Sequence, residues 1–334
     1  MKAKVRSFFV LAGMATSLFF ASCDEQPKTA APVGSETPVE AEVGDVNGNP
    51  NGKNIRKKIF AKGKMRSGKE FKDYVLQAEY LLDSLGNEIE FTDHGDAFQT
   101  KIVTTRDAEG RELSKVRTGR DQTGKLEYRI VWNGDHTEQL EEEFSANEGR
   151  VVNKIRREYD TAGKLLSIKQ EDLHIGEFPM EHTTNFKYDA KGNLIEETEF
   201  FGGKVVPGTK YTYSAKNECI RIDHFDSEGK LSQTNLNTYD KEGRLKQHEL
   251  QDHGGYFKTP QLEARYEYDT KGLLAKEIHY KGNCTEAGQS SGDCPISETL
   301  TYTYDAEGRI ATKRTERVTP SVVDMVEKYE YRRE

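Results

Sequence analysis

The sequence predicts an all-β protein of repeated antiparallel hairpins that form an elongated, twisted or spiralling sheet. Three observations predict it. A Tyr-Asp-x-x-Gly-x-Leu frame recurs through residues 75–334, and aromatic residues alternate with polar ones just before it. The apolar content, 34%, is well under the ~45–50% of ordinary globular domains, so each strand has material to bury one face only.

The frame is clearest at Asp160/Gly163, Asp189/Gly192, Asp240/Gly243, Asp269/Gly272 and Asp305/Gly308, each Asp preceded by Tyr. Asp suits the first place of a type I turn, because its carboxylate accepts the backbone N–H groups ahead of it. Gly three residues later supplies the left-handed conformation of a G1 bulge, after which the strands pair again. Near copies begin at Arg120-Asp121 (with Gly124) and Phe225-Asp226 (with Gly229), looser ones at Leu82-Asp83 and Arg106-Asp107. At Tyr213-Ser214 the glycine place holds Asn217, the next-best residue for that conformation, and the leucine place holds Cys219. Before the turns, Tyr211/Tyr213, Tyr266/Tyr268, Tyr302/Tyr304 and Tyr329/Tyr331 repeat with a period of two, which puts each pair on one face of a strand.

These residues resemble the YD-repeat family, related to the Rhs repeats of bacterial surface and toxin proteins. The resemblance implies hairpins that follow one another into a long spiralling sheet, which in very long arrays closes into a hollow shell around a toxin. About ten repeats predict a sheet too small to enclose a cargo domain.

The N-terminus reads as an export address. Lys2, Lys4 and Arg6 form a cationic start, and Phe8–Phe20 is an apolar run shorter than the ~20 residues a spanning helix needs. Phe20-Ala21-Ser22-Cys23 resembles the lipobox of bacterial lipoproteins, with Phe where Leu is usual. The resemblance implies a lipid on Cys23 after removal of residues 1–22, and hence the lipid bilayer as a partner and the outer membrane as the location. Asp24 and Glu25 resemble a surface-export signal in some bacteria and a retention signal in others, so the leaflet stays open. Residues 23–56, rich in Pro, Ala, Glu, Gly and Asn, read as a flexible linker, leaving 57–334 as the repeat domain.

The net charge of −8 becomes −11 without the three cations of residues 1–22, which argues against nucleic acid as a partner. One segment, Lys53 to Lys72, is crowded with cations and reads as a solvated face near the linker or as contact with an anionic polymer or headgroup. Cys284 and Cys294 bracket a Gly/Ser-rich stretch and suit a loop-closing disulfide in an exported protein, with Cys219 as the odd, core-facing cysteine. The stretch contains Gly288-Gln289-Ser290-Ser291-Gly292, the spelling of a hydrolase nucleophile elbow, without the strand-turn-helix context that motif needs. The eight histidines show no zinc spacing, and no phosphate loop is present, so no cofactor, metal or catalytic residue is expected.

The function expected is that of a membrane-anchored binding or scaffold module, not an enzyme, with a glycan or an envelope protein as candidate partner. The alternative is a structural or immunity partner of a secretion or Rhs-type toxin system, and a glycan-acting enzyme is the third reading. If it binds through a loop, the segment Tyr280–Ser297 is the longest insertion between clear repeats.

Overall fold

The computed structural model describes residues 54–333 apart from 65–69, 95–99, 109, 119–125, 174–179, 202, 255–258, 282–293 and 318–322. Cys23, Cys284, the Gly288–Gly292 spelling and the Asp121/Gly124 frame therefore lie outside the described residues.

The described chain contains twenty strands. The first ten are β1 (Ile55–Lys64), β2 (Glu70–Leu82), β3 (Glu88–Asp93), β4 (Lys101–Arg106), β5 (Glu112–Thr118), β6 (Leu126–Trp132), β7 (Glu138–Ser145), β8 (Arg150–Tyr159), β9 (Leu165–Asp172) and β10 (Met180–Tyr188). The second ten are β11 (Leu194–Phe201), β12 (Lys204–Tyr213), β13 (Cys219–Phe225), β14 (Leu231–Tyr239), β15 (Leu245–Asp252), β16 (Gln261–Tyr268), β17 (Leu274–Tyr280), β18 (Ile296–Tyr304), β19 (Ile310–Arg317) and β20 (Val323–Arg333).

Every strand pairs antiparallel with the next, as the hairpin frame predicts, and β1 also pairs with β20 from Ile55↔Arg333 to Lys64↔Asp324. The sheet is thus a closed ring, where the repeats predicted an elongated, twisted or spiralling sheet and did not decide between open and closed. Closure leaves no edge strand to aggregate. Twenty strands spaced ~4.8 Å apart give a wall about 100 Å round. The segment from Ile55, expected as linker up to residue 56, is the strand that closes the wall. Its cations are structural: Arg56 and Lys58 pair with Glu79 on β2, and Lys62 lies over the Tyr74 ring.

Because strands alternate in direction, the turns fall on two rims. One rim carries the turns from each even strand to the next odd strand, and it holds all five clear Asp/Gly frames. The Asp226/Gly229 frame sits on the opposite rim, between β13 and β14. The 14-residue glycine spacing (Gly149 to Gly163, Gly229 to Gly243) is therefore one strand plus its turn, from rim to rim.

Successive side chains of a strand point to opposite faces, and residues opposite one another in the ladder share a face. Tracing the pairs puts Tyr211, Tyr266, Tyr302 and Tyr329 on one face with Ile222, Glu277, Lys313 and Ile59. The other face carries Lys187, Glu196, Lys210, Glu142, Lys154, Arg314 and Asp324. Burial separates the two. On β10, Phe186 and Tyr188 are half-buried while Asn185 and Lys187 are exposed, and on β18, Tyr302 and Tyr304 are half-buried while Thr301 and Thr303 are exposed. The tyrosine face is the inside of the ring. Its tyrosines keep partial exposure, where those of a filled core would be buried, while Ile222 and Ala264 on the same face are buried.

Candidate functional site on the inner face

The rim turns come first, since they position everything inside. In the five clear turns the Oδ1 atoms of Asp160, Asp189, Asp240, Asp269 and Asp305 each accept two backbone N–H groups, from the residues two and four ahead, at 2.8–3.0 Å. The N–H groups of Gly163, Gly192, Gly243, Gly272 and Gly308 return to the carbonyls of those aspartates at 3.0–3.2 Å. Their φ values are 81°, 92°, 82°, 85° and 81° in the same order. A ladder shift accompanies each turn, at Tyr159, Tyr188, Tyr239, Tyr268 and Tyr304, as a G1 bulge requires.

The turn glycines differ in what surrounds them. A Cβ added at Gly272 would meet only the Arg244 guanidinium, at 3.5 Å, and one at Gly308 would meet nothing within 4 Å. Backbone conformation, and not crowding, asks for glycine at Gly272 and Gly308. At Gly192 the Lys164 ammonium adds crowding, 2.6 Å from where a Cβ would stand.

Three of these aspartates are held in their charged form. Hydrogen bonds from the Asn193 side chain and backbone hold Asp189 below the usual carboxylate range. Burial works against the same shift at Asp240 and Asp305, but the bonds from Arg244 and Arg309 outweigh it.

One turn of this rim escaped the sequence reading. Trp132-Asn133-Gly134-Asp135-His136 occupies the same place, with Trp for Tyr, Asn for Asp and His for Gly. Asn133 Oδ1 accepts the Thr137 and Glu138 N–H groups at 2.9 and 3.1 Å, and His136 takes a φ of 58°. An aromatic residue followed by Asn, with His three places on, was the available signal.

Five of the frame tyrosines fasten their hairpins to the one before. Tyr188, Tyr213, Tyr239, Tyr268 and Tyr304 donate from the hydroxyl to the carbonyls of Leu165, Leu194, Cys219, Leu245 and Leu274, at 2.7–2.9 Å. At Tyr188 and Tyr268 the cation after the preceding turn's glycine, Lys164 and Arg244, covers the ring. The leucine place therefore offers its carbonyl as well as its side chain. Cys219 is buried at that place, but it is disulfide-bonded and not the odd thiol; Cys294 is disulfide-bonded too.

Away from the rim, the inner face presents a band of hydrogen-bonded polar groups. Tyr211 donates to Glu197 at 2.7 Å, Tyr302 to Glu277 at 2.6 Å and Tyr329 to Glu327 at 2.9 Å. Burial, reinforced by these carboxylates, pushes all three phenols far above their ordinary range. Between them, one ladder row runs Asn237, His248, Ala264, His279, Glu298, Arg317. His248 bonds Asn237 at 2.8 Å, His279 meets Glu277 at 3.2 Å, and Arg317 pairs with Glu298. Burial, then the neighbouring His279, lowers His248 to about 4. Burial alone would raise Glu277, yet the bonds from His279 and Tyr302 lower it, whereas burial leaves Glu197 raised.

Chemically, the band offers aromatic faces, imidazoles, carboxylates and amides to whatever lies inside. Among the described residues, no group of three His, Cys, Asp or Glu can hold a metal ion. The outer face carries Glu196 between Lys187 and Lys210, Lys154–Glu142 at 3.2 Å and Arg314–Asp324 at 3.2 Å.

A family model described as the teneurin YD-shell matches residues 116–323, more than half of the chain. The chain belongs to the teneurin YD-shell family. Within it, the match begins in β5 and ends at the start of β20, so β1 to β4 of this YD-shell lie outside the matched residues. No curated protein matches the sequence. Among solved structures, the YD-shell is similar to TcdB2-TccC3 without its hypervariable C-terminal region, at 15% identity over 74% of this chain and 15% of that one, with a TM-score of 0.29. A Photorhabdus luminescens Tc holotoxin pore is 13% identical over 78% of this chain and 16% of that one, with a TM-score of 0.25. The YD-shell thus spans about a sixth of those chains' length. A porin-like protein from Bacteroides uniformis is 10% identical over 85% of this chain and 98% of that one, with a TM-score of 0.36.

Proposed function

We propose that this YD-shell is a non-enzymatic structural module of a secretion or toxin-type assembly, held at the outer membrane by lipid on Cys23, and that it works through the inner face of its ring. The observation that carries the reading is the closed wall whose inner face is polar, hydrogen-bonded and still partly accessible. A wall that existed only to bury a core would turn apolar side chains inward and exclude water. This one turns Tyr266, Glu277, His279 and Tyr302 inward, groups suited to an extended polypeptide or another polar chain. Family membership over 116–323 supports the toxin-type assembly over the general scaffold expected first.

Photocrosslinking in the native host tests it. A photoreactive residue replaces Tyr266 on the inner face in one strain and exposed Thr301 on the outer face in another. The expected result is a polypeptide adduct from position 266 that is absent from position 301. Adducts from position 301 alone would overturn the inner-face reading. A polysaccharide adduct from position 266 would move the assignment to glycan binding.

A further inference from the structure

Strand β1 stands apart from the rest of the ring. Its partner β20 is at the other end of the chain, whereas every other pairing joins consecutive strands. It also settles a parity problem. β2 to β20 are nineteen strands that alternate in direction, so the first and the last run the same way. They cannot pair antiparallel with each other. One strand, antiparallel to both, must lie between them, and β1 does.

The slot that holds β1 reads its sequence closely. Outside, Glu79 receives Arg56 and Lys58. Inside, the Lys57 ammonium lies 5.4 Å from the Tyr80 ring centre and 5.6 Å from that of Tyr329. Ala61 is 1% exposed, so the slot closes over it. Gly63 has a φ of 105°, and a Cβ there would come within 2.1 Å of the Asp324 carbonyl oxygen. The two seams differ. β1 pairs with β20 through ten residues without a shift, but its pairing with β2 shifts between Ile59 and Phe60 and between Ala61 and Gly63.

We propose that the slot between β2 and β20 is a strand-acceptor site, and that its occupant in trans is β1 of a second copy of this chain. Such an exchange keeps every contact just described, because each copy carries the same strand. Only the path of the connection from β1 to β2 changes. In one chain the tethered strand has an effective concentration near millimolar, so the closed monomer dominates in dilute solution and exchange needs crowding or refolding.

The test uses the full-length chain carrying Gly63→Val, which unseats its own β1, and a labelled peptide of residues 54–65. The expected result is that the wild-type peptide binds this chain at least tenfold more tightly than the peptide carrying Gly63→Val, and raises its melting temperature. Equal binding of the two peptides, or binding of neither to a folded chain, overturns the proposal. If the variant does not fold, two differently tagged wild-type chains are unfolded and refolded together at high concentration. Mixed dimers that survive dilution are then expected. Monomers at every concentration, or mixed dimers that form equally without unfolding, overturn it.

Discussion

The side-chain amides of Asn193 and Asn217 exchange two hydrogen bonds, of 2.6 and 3.0 Å, between neighbouring turns of one rim. Asn217 stands at the left-handed place where the other clear turns have Gly, with a φ of 74°. Its side chain satisfies Asn193, which is only 7% exposed. Relieving the backbone strain with Asn217→Gly ordinarily stabilises a turn. Here it leaves the buried Asn193 Oδ1 without the Asn217 donor, at about 1–3 kcal/mol, while Asn193 Nδ2 keeps its bond to Asp189. The expected outcome in a denaturant melt is a net loss of about 1 kcal/mol, and a gain in stability would show that the amide pair contributes nothing.

The glycine place itself is sensitive to branching. Gly192 has a φ of 92°, and Val resists positive φ, so Gly192→Val should cost about 1–3 kcal/mol. Lys191→Val, one residue earlier and exposed, should cost less. Melts of the two variants side by side check the order.

The latch between hairpins separates into two parts at Tyr268. Tyr268→Phe keeps the ring under Arg244 and loses the hydroxyl bond to Leu245, for about 1 kcal/mol. Tyr268→Leu removes the aromatic face as well and should cost about 0.5–1 kcal/mol more. Chemical denaturation of the three proteins resolves the two steps; equal costs for both variants would assign everything to the hydroxyl.

His248 gives the shell a pH dependence. Its pKa falls from the ordinary 6.5 to about 4 on folding, so between those values the unfolded chain binds the extra proton. Stability from this group is therefore complete above about pH 6.5 and is lost as the pH falls toward 4, by order 3 kcal/mol in all. His248→Gln should flatten the stability profile in that window while leaving the rest of the curve alone.

The anchor is tested at one atom. Cys23→Ser should abolish incorporation of an alkyne fatty acid and release the protein from membranes. Unchanged labelling of the variant would remove the lipid from the proposed function.

The turns were legible because type I geometry and the G1 bulge are local: Asp160 and Gly163 settle their conformation within five residues. Copies that kept the chemistry but changed all three letters, as Trp132, Asn133 and His136 do, were not legible by spelling. Closure was hidden for a different reason. Ile55 meets Arg333 across the length of the chain, and β1 carries no frame, so nothing local marks it as wall. The inner band was hidden likewise, since Glu277 meets Tyr302 only once strand register is known.

The antiparallel ring also limits how such a protein can change length. A duplicated or deleted single strand would leave two parallel neighbours facing each other, so viable insertions and losses come as whole hairpins. Each adds or removes two strand widths, about 10 Å of circumference. Relatives built on this plan should therefore differ in girth by discrete increments, with even strand numbers throughout.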